Sequence, residues 1–233
     1  MKKAQGFFIT FEGIEGAGKT TQARRLYEVL KEKGYPVVIT REPGGTAIGD
    51  RIRAILIDPD CAEMVPLAEL FLFAAARVQH ITQVIRPLLE EGRIVICDRF
   101  TDATLAYQGY GRGIHLTQVR EINEAASWNV RPNLTLLLDI EPYHGLSRVR
   151  NRAEIDEKAP DRLEREQADF YERVRRGYLE IAYDEPQRFR RFDSAQDLDV
   201  VHGQILDCVM RELDKTWGTP QRLDLGAIFD TRP

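Results

Sequence analysis

The stretch GIEGAGKTTQ, residues 13–22, constrains this chain more than any other. Gly13 and Gly18-Lys19-Thr20 complete the pattern GxxxxGK[ST], set between a strand-like run and a helix-like one. Glycines at these positions let backbone N–H groups curl around phosphate oxygens, and the following helix adds the positive end of its dipole. Lys19 offers a charge to β- and γ-phosphates, and the Thr20 hydroxyl suits a Mg²⁺ shell. The run Gly13, Ile14, Glu15, Gly16, Ala17, Gly18, Lys19, Thr20 and Thr21 is therefore the expected ATP-binding loop. The competing explanation is a glycine turn that merely caps a helix. Glu15 is the anomaly, a carboxylate in the middle of an anion cradle.

The rest of the chain repeats the strand–helix alternation. Short apolar runs at 6–13, 36–40, 93–100 and 133–140 read as buried strands, with a weaker fifth at 188–193. Helical periodicity occupies the intervals, including 46–57, 115–127 and 197–213. The apolar run 64–92 reads as one long helix that Pro87 kinks or restarts. Residues 142–184 read as mostly helical with a break near Ala159-Pro160. Buried strands joined by helical crossovers mean a parallel sheet covered on both faces. The expected fold is α/β, a three-layer P-loop NTPase fold with a five-stranded parallel sheet flanked by helices. One domain over 1–214 suits a chain of 233 residues that is 43% hydrophobic, with 215–233 as an extension of no evident role.

Charge and cysteines narrow the class. A net charge of −4 disfavours a general nucleic-acid binder. No apolar run reaches the ~20 residues that span a bilayer, so no membrane partner is expected. The N-terminus lacks the form of a signal peptide, and Cys61, Cys97 and Cys208 stand far apart, which suits a reducing cytoplasm.

Asp98 closes the strand VICD, where a P-loop protein places the carboxylate that organises the metal shell. A helix N-cap or an ion pair with Arg99 would explain it equally simply. No NKxD guanine-reading motif is present, so a GTPase switch is disfavoured, and a polymer motor would be longer. A small-molecule kinase needs an arginine-rich cover, and residues 146–178 hold eight arginines and one lysine. Arginine's rigid fork suits phosphate. Arg148, Arg150 and Arg152 alternate, which gives them no common helix stripe, and they precede an expected loop. A salt-bridged surface helix is the alternative.

Four further motifs complete the set: TREPGGT (40–46), FAAAR (73–77), DRFTDATLAYQGYGRG (98–113) and the arginine-rich segment. Phe73 and Arg77 share one helix face, so a ring could stack on a pyrimidine while a guanidinium donates to a carbonyl. A core Phe73 with a surface ion pair at Arg77 fits the spacing too. Read in order with FEGIEGAGKTTQ, these motifs resemble the bacterial-type thymidylate kinases, the nucleoside monophosphate kinases that phosphorylate dTMP with ATP. The similarity covers about residues 6–213.

The resemblance implies a role for each motif. Arg77 would face the thymine O4 with Phe73 stacked on the base. Arg53 and Arg99 would grip the acceptor phosphate. Thr104 would contact the base, and Tyr107 with Gln108 would pack under the sugar and disfavour a 2′-hydroxyl. Glu42 and Pro43, in a turn that a ligand can approach, join the dTMP wall. Glu15 would turn its side chain away from the phosphates toward the sugar 3′-hydroxyl or a magnesium-bound water. Thr20 and Asp98 would hold the metal. The loop lacks an arginine, so the catalytic one would come from a mobile lid at about 148–163: Arg152, with Arg150 and Arg148 as substitutes. The family also implies a homodimer. Departures are the long insert EIDEKAP before Asp161, and Ala103 where serine is common. Rival readings are a UMP/CMP-type kinase, a deoxynucleoside kinase and a non-catalytic ATP-binding regulator.

Overall fold

The computed structural model describes residues 6–155 and 159–217. The first three strands are β1 (Phe7–Glu12), β2 (Val37–Arg41) and β3 (Ile94–Asp98), followed by β4 (Leu134–Asp139) and β5 (Phe189–Asp193). They form one parallel sheet in the order β2-β3-β1-β4-β5. Every residue of β1 and β4 is buried, as continuous apolar strands at the centre of a covered sheet should be. The outer strands β2 and β5 bury only part of their residues, which explains why β5 (FRRFD) is the faintest in the sequence.

The helices pack on both faces. α1 (Lys19–Glu32) buries Ala23, Leu26 and Leu30, one stripe at helical spacing. α2 (Ala47–Ile57) and α3 (Pro66–His80) follow. Of the kink or restart expected at Pro87, the restart is seen: a separate helix begins with proline in its first turn. α3 runs through a wide π turn, Ile81–Ile85, into α4 (Arg86–Glu90), and the Arg86 N–H bonds the Ile81 carbonyl five residues back. The wider turn keeps the backbone paired just before a residue that has no N–H.

The motif after β3 is helical as well. α5 (Thr101–Thr104) passes into a π-helical stretch, Leu105–Gly111, then α6 (Leu116–Ser127). α7 (Pro142–Ile155) and α8 (Ala168–Asp184) flank the expected break near Ala159-Pro160, and residues 156–158 just before it lie outside the described residues. α9 (Leu198–Trp217) runs past the expected end at 213 and the expected boundary at 214. Residues 218–233 of the expected extension lie outside the described residues.

This topology positions the site. The strand order reverses around β1: β3 and β2 lie on one side, β4 and β5 on the other. Loops leaving the carboxyl ends of β1 and β4 diverge there, and the gap they leave is where open α/β sheets bind ligands.

Candidate active site

A cavity of about 960 Å³ opens at those carboxyl ends. One end is the loop between β1 and α1. Gly13 has φ 137°, and a Cβ there would lie 2.3 Å from the Leu138 carbonyl oxygen, so only glycine fits. Gly16 has φ 72°, and its Cβ would lie 2.0 Å from the Gly145 carbonyl oxygen of α7. That close approach brings α7 against the loop. No side chain caps the first turn of α1, which leaves its amides free for an anion. The buried Lys19 ammonium donates to the Ile14 carbonyl at 2.7 Å. Burial, reinforced by Arg99, brings its pKa down to about 8 against the pull of Glu15, Asp98 and Glu12.

Thr20 Oγ1 donates a short hydrogen bond to Asp98 Oδ2, pairing the two candidate metal residues beside the loop. Hydroxyl and carboxylate are hard oxygen donors of the kind that Mg²⁺ takes, one or two per site, with phosphates and water completing the shell. Among the described residues no group of three or more His, Cys, Asp or Glu could hold a metal alone. The donor set therefore fits a nucleotide-bound Mg²⁺ and not a resident structural ion.

The Glu15 side chain is taken up by protein donors. Its carboxylate accepts from Arg99 at 2.6 Å and from the Tyr107 hydroxyl in a short bond. Burial works to raise the Glu15 pKa, but the charges of Arg99 and Lys19 and the Tyr107 bond outweigh it and hold it below the ordinary value. Arg99 sits in the left-handed region at φ 69°. Its guanidinium also donates to the Gly13 carbonyl (3.0 Å), the Tyr178 hydroxyl (3.2 Å) and the Tyr107 hydroxyl (3.0 Å). A non-glycine residue holds this conformation only where its surroundings fix it, and such residues cluster at working sites.

Behind this cluster lies Glu12, fully buried, accepting from the Phe100 N–H (2.8 Å) and the Tyr178 hydroxyl (2.8 Å). Burial, then the charge of Asp102, raises its pKa to about 8. Sequence reasoning missed Glu12 and Tyr178. Glu12 stands at a strand end next to the loop, a signal that could have been used; Tyr178 lies in a helix with none.

At the other end of the cavity stand Glu42, Pro43, Arg53, Phe73, Arg77, Thr104, Tyr107 and Gln108, all lining it. Arg53, on α2, donates to the Pro43 carbonyl at 3.1 Å across a turn with a cis Glu42–Pro43 bond. Phe73 is half-buried. Arg77 differs from an open base reader and from a surface ion pair alike. Only 1% exposed, it bonds Glu42 (2.7 Å), Asn123 (2.7 Å), the Phe100 carbonyl (3.1 Å) and Thr104 (2.9 Å). Among the described residues one of its five N–H groups, on Nη1, has no partner. Glu42 also takes a 3.1 Å contact from His80, so its nearest partners are protein groups. Gln108 is likewise bonded, to Glu69 at 2.8 Å.

As expected, Arg148, Arg150 and Arg152 share no single stripe of α7, but two of them do. Pro142, Gly145, Leu146 and Val149 form the buried face, and Arg148 and Arg152, one turn apart, both line the cavity. Arg148 reaches the Gly16 carbonyl at 3.4 Å, and Arg152 pairs with Glu164 at 2.5 Å. Arg150 is exposed and is not among the cavity residues, because two residues along a helix turn a side chain to a different face. Asp161 and Leu163, within the expected lid at about 148–163, line the cavity too, as does Glu164 just past its expected end.

Comparison with known proteins shows the family. The family model "Thymidylate kinase" matches residues 11–205. A thymidylate kinase of Syntrophotalea carbinolica is 53% identical over 196 residues, 84% of this chain and 91% of that one. One of Pelotomaculum thermopropionicum is 48% identical over 210 residues, 90% of this chain and 95% of its own. The crystal structure of thymidylate kinase from Ehrlichia chaffeensis superposes with a TM-score of 0.71 at 35% identity, covering 88% of this chain and 99% of that one. With its loop, its strand order and its cavity in this arrangement, the chain belongs to the thymidylate kinase family.

Proposed function

We propose that this enzyme transfers the γ-phosphoryl group of ATP to dTMP. The observation that carries the reading is the cluster of Glu15, Arg99 and Tyr107, which joins the phosphate loop to the acceptor end of one continuous cavity. ATP phosphates would lie on the amides of residues 13–21, with Lys19 turning from the Ile14 carbonyl to the β- and γ-oxygens. Thr20 and Asp98 would hold Mg²⁺, which when bound neutralises phosphate charge. Arg53 and Arg99 would grip the acceptor phosphate. A phosphate monoester is already anionic near neutral pH, so positioning and charge stabilisation suffice without a strong base. Arg152, with Arg148 beside it, would meet the charge developing on the transferred group.

Phe73 would stack on the thymine and the uncommitted N–H of Arg77 would meet its O4. Tyr107, pinned between Glu15 and Arg99, would crowd a 2′-hydroxyl. A coupled ADP-release assay with ATP–Mg²⁺ and dTMP, dUMP, UMP, dCMP or thymidine tests the assignment. Strong preference for dTMP is expected; turnover of UMP or thymidine with little of dTMP would sink it.

The reading includes a homodimer. Leu67, Phe71 and Val78 are exposed along one side of α3, and Ile48 and Ile55, seven apart, along the adjacent α2. Such paired apolar stripes suit a second copy. Phe71→Asp should convert the species seen in sedimentation from dimer to monomer, and an unchanged mass would reject this face. The free thiols of Cys61, Cys97 and Cys208 support a cytoplasmic site.

A further inference from the structure

The described part of the α7–α8 connection, residues 159–167, does not simply lie over the cavity. It is fastened to two other elements by one side chain. Arg162 is 7% exposed and donates from Nε to the Leu56 carbonyl at 2.8 Å and from Nη2 to Glu69 at 2.6 Å. Its own N–H bonds the Ile57 carbonyl at 3.0 Å. Leu56 and Ile57 form the last turn of α2, which has no basic residue of its own there and carries Arg53 one turn earlier. The carbonyls at a helix end lack intrahelical partners, and an arginine fork satisfies them well.

Glu69 is the other half of the fastening. Completely buried in the first turn of α3, it accepts from Gln108 (2.8 Å), from Arg112 twice (3.1 and 3.1 Å) and from Arg162 (2.6 Å). One carboxylate thus fills its accepting positions from the acceptor wall and from the connection at once. The residues around Arg162 face the cavity. Asp161 lies close enough for its charge to act on Arg53, and Glu164 holds Arg152 at 2.5 Å.

Burying two charges is seldom the cheapest way to stabilise a fold, since apolar replacements are often as stable. The geometry it imposes is the better explanation here. We infer that Arg162 and Glu69 are positioning residues for the acceptor, locking the connection, the end of α2 and the Gln108 wall into the one arrangement that completes the nucleoside monophosphate pocket. The inference rests on the acceptor reading above. Its consequence is selective: the acceptor end depends on this lock, and the phosphate loop, built by β1 and α1, does not.

The experiment compares wild type with Arg162→Met and Arg162→Lys, by calorimetric titration with dTMP and separately with a non-hydrolysable ATP analogue, alongside kcat and both KM values. In Arg162→Met the dTMP Kd and KM should rise by roughly tenfold or more while the ATP-analogue Kd stays within about twofold. Arg162→Lys keeps the charge toward Glu69 but loses the fork to Leu56, and should fall between the two. Should Arg162→Met show no cooperative unfolding transition, the lysine variant decides by the same criteria. A folded variant that binds dTMP like wild type, or one weakened equally for both ligands, overturns the positioning role. A wild-type protein that binds no dTMP overturns the acceptor reading instead.

Discussion

Arg77→Met offers a prediction that the structure makes large. Arg77 and Glu42 are 1% and 5% exposed and meet at 2.7 Å. Methionine keeps much of the stem's volume but removes the charge and four hydrogen bonds, leaving Asn123, the Phe100 carbonyl, Thr104 and Glu42 short of a partner. Removing one partner of a buried ion pair costs about 3–5 kcal/mol. That is a large fraction of the ~5–15 kcal/mol that holds a typical protein folded. At about 2–4 °C per kcal/mol for a chain of this size, the melting temperature should fall by roughly 6–20 °C.

The loss should also depend on pH. Burial pushes the Glu42 pKa up, but the charge of Arg77 and the His80 bond outweigh it and hold it below 4.5. In wild type this carboxylate therefore stabilises the fold above its unfolded value, and the contribution disappears as pH falls through the lower folded value. Without Arg77 burial dominates and the folded value moves above 4.5. The folded variant then takes up a proton as the medium is acidified, so its deficit should shrink between about pH 8 and pH 5. Glu42→Gln/Arg77→Met, which leaves no orphan charge, should recover more than half of the loss. Urea unfolding followed by circular dichroism at several pH values measures all three. A deficit under about 1 kcal/mol, or one independent of pH, would refute the buried-couple argument.

Other expectations follow from the same geometry. Arg152→Ala should lower kcat by roughly 10²-fold or more, while Arg150→Ala, on the exposed side of α7, should stay within about twofold; equal effects would mean that the helix phase is misread. Tyr107→Phe loses the hydroxyl wedged between Glu15 and Arg99, and the kcat/KM preference for dTMP over its 2′-hydroxy counterpart should relax by about tenfold, with an unchanged ratio ruling the hydroxyl out as the discriminator. Glu12→Gln imitates the neutral acid. A folded pKa raised to about 8 means that wild type loses stability as pH rises from 4.5 to about 8 and levels off above, so the variant's relative stability should climb across that window; a flat difference in denaturation at pH 5, 7 and 9 would contradict it. Chelation of Mg²⁺ should abolish turnover without shifting the melting temperature of the nucleotide-free protein, since the described residues hold no protein-only metal cluster; a shift would reveal a structural ion.

Much of this protein is written locally. GxxxxGKT needs particular backbone angles over eight consecutive residues, and Gly13 and Gly16 meet them with positive φ values at points where a Cβ has no room. β1 and β4 announce themselves because a strand buried on both faces must be apolar throughout. Phe73 and Arg77, or Asp98 and Arg99, lie close enough in the chain for spacing alone to bring them together.

What spacing cannot supply is the partner. Arg77 reads the same in sequence whether it faces a ligand or Glu42, and only the packing of α3 against the turn after β2, α5 and α6 commits four of its donors. Arg148, Arg150 and Arg152 are chemically equal until the apolar face of α7 settles against α8 and the loop after β1 and turns two of them into the cavity. Glu69 and Arg162 are 93 residues apart, and neither carries a mark that distinguishes it from a surface charge. Burial depends on which faces of distant elements meet, so whether a charge is solvated, paired or aimed at a substrate is decided by the tertiary fold and not by the local pattern.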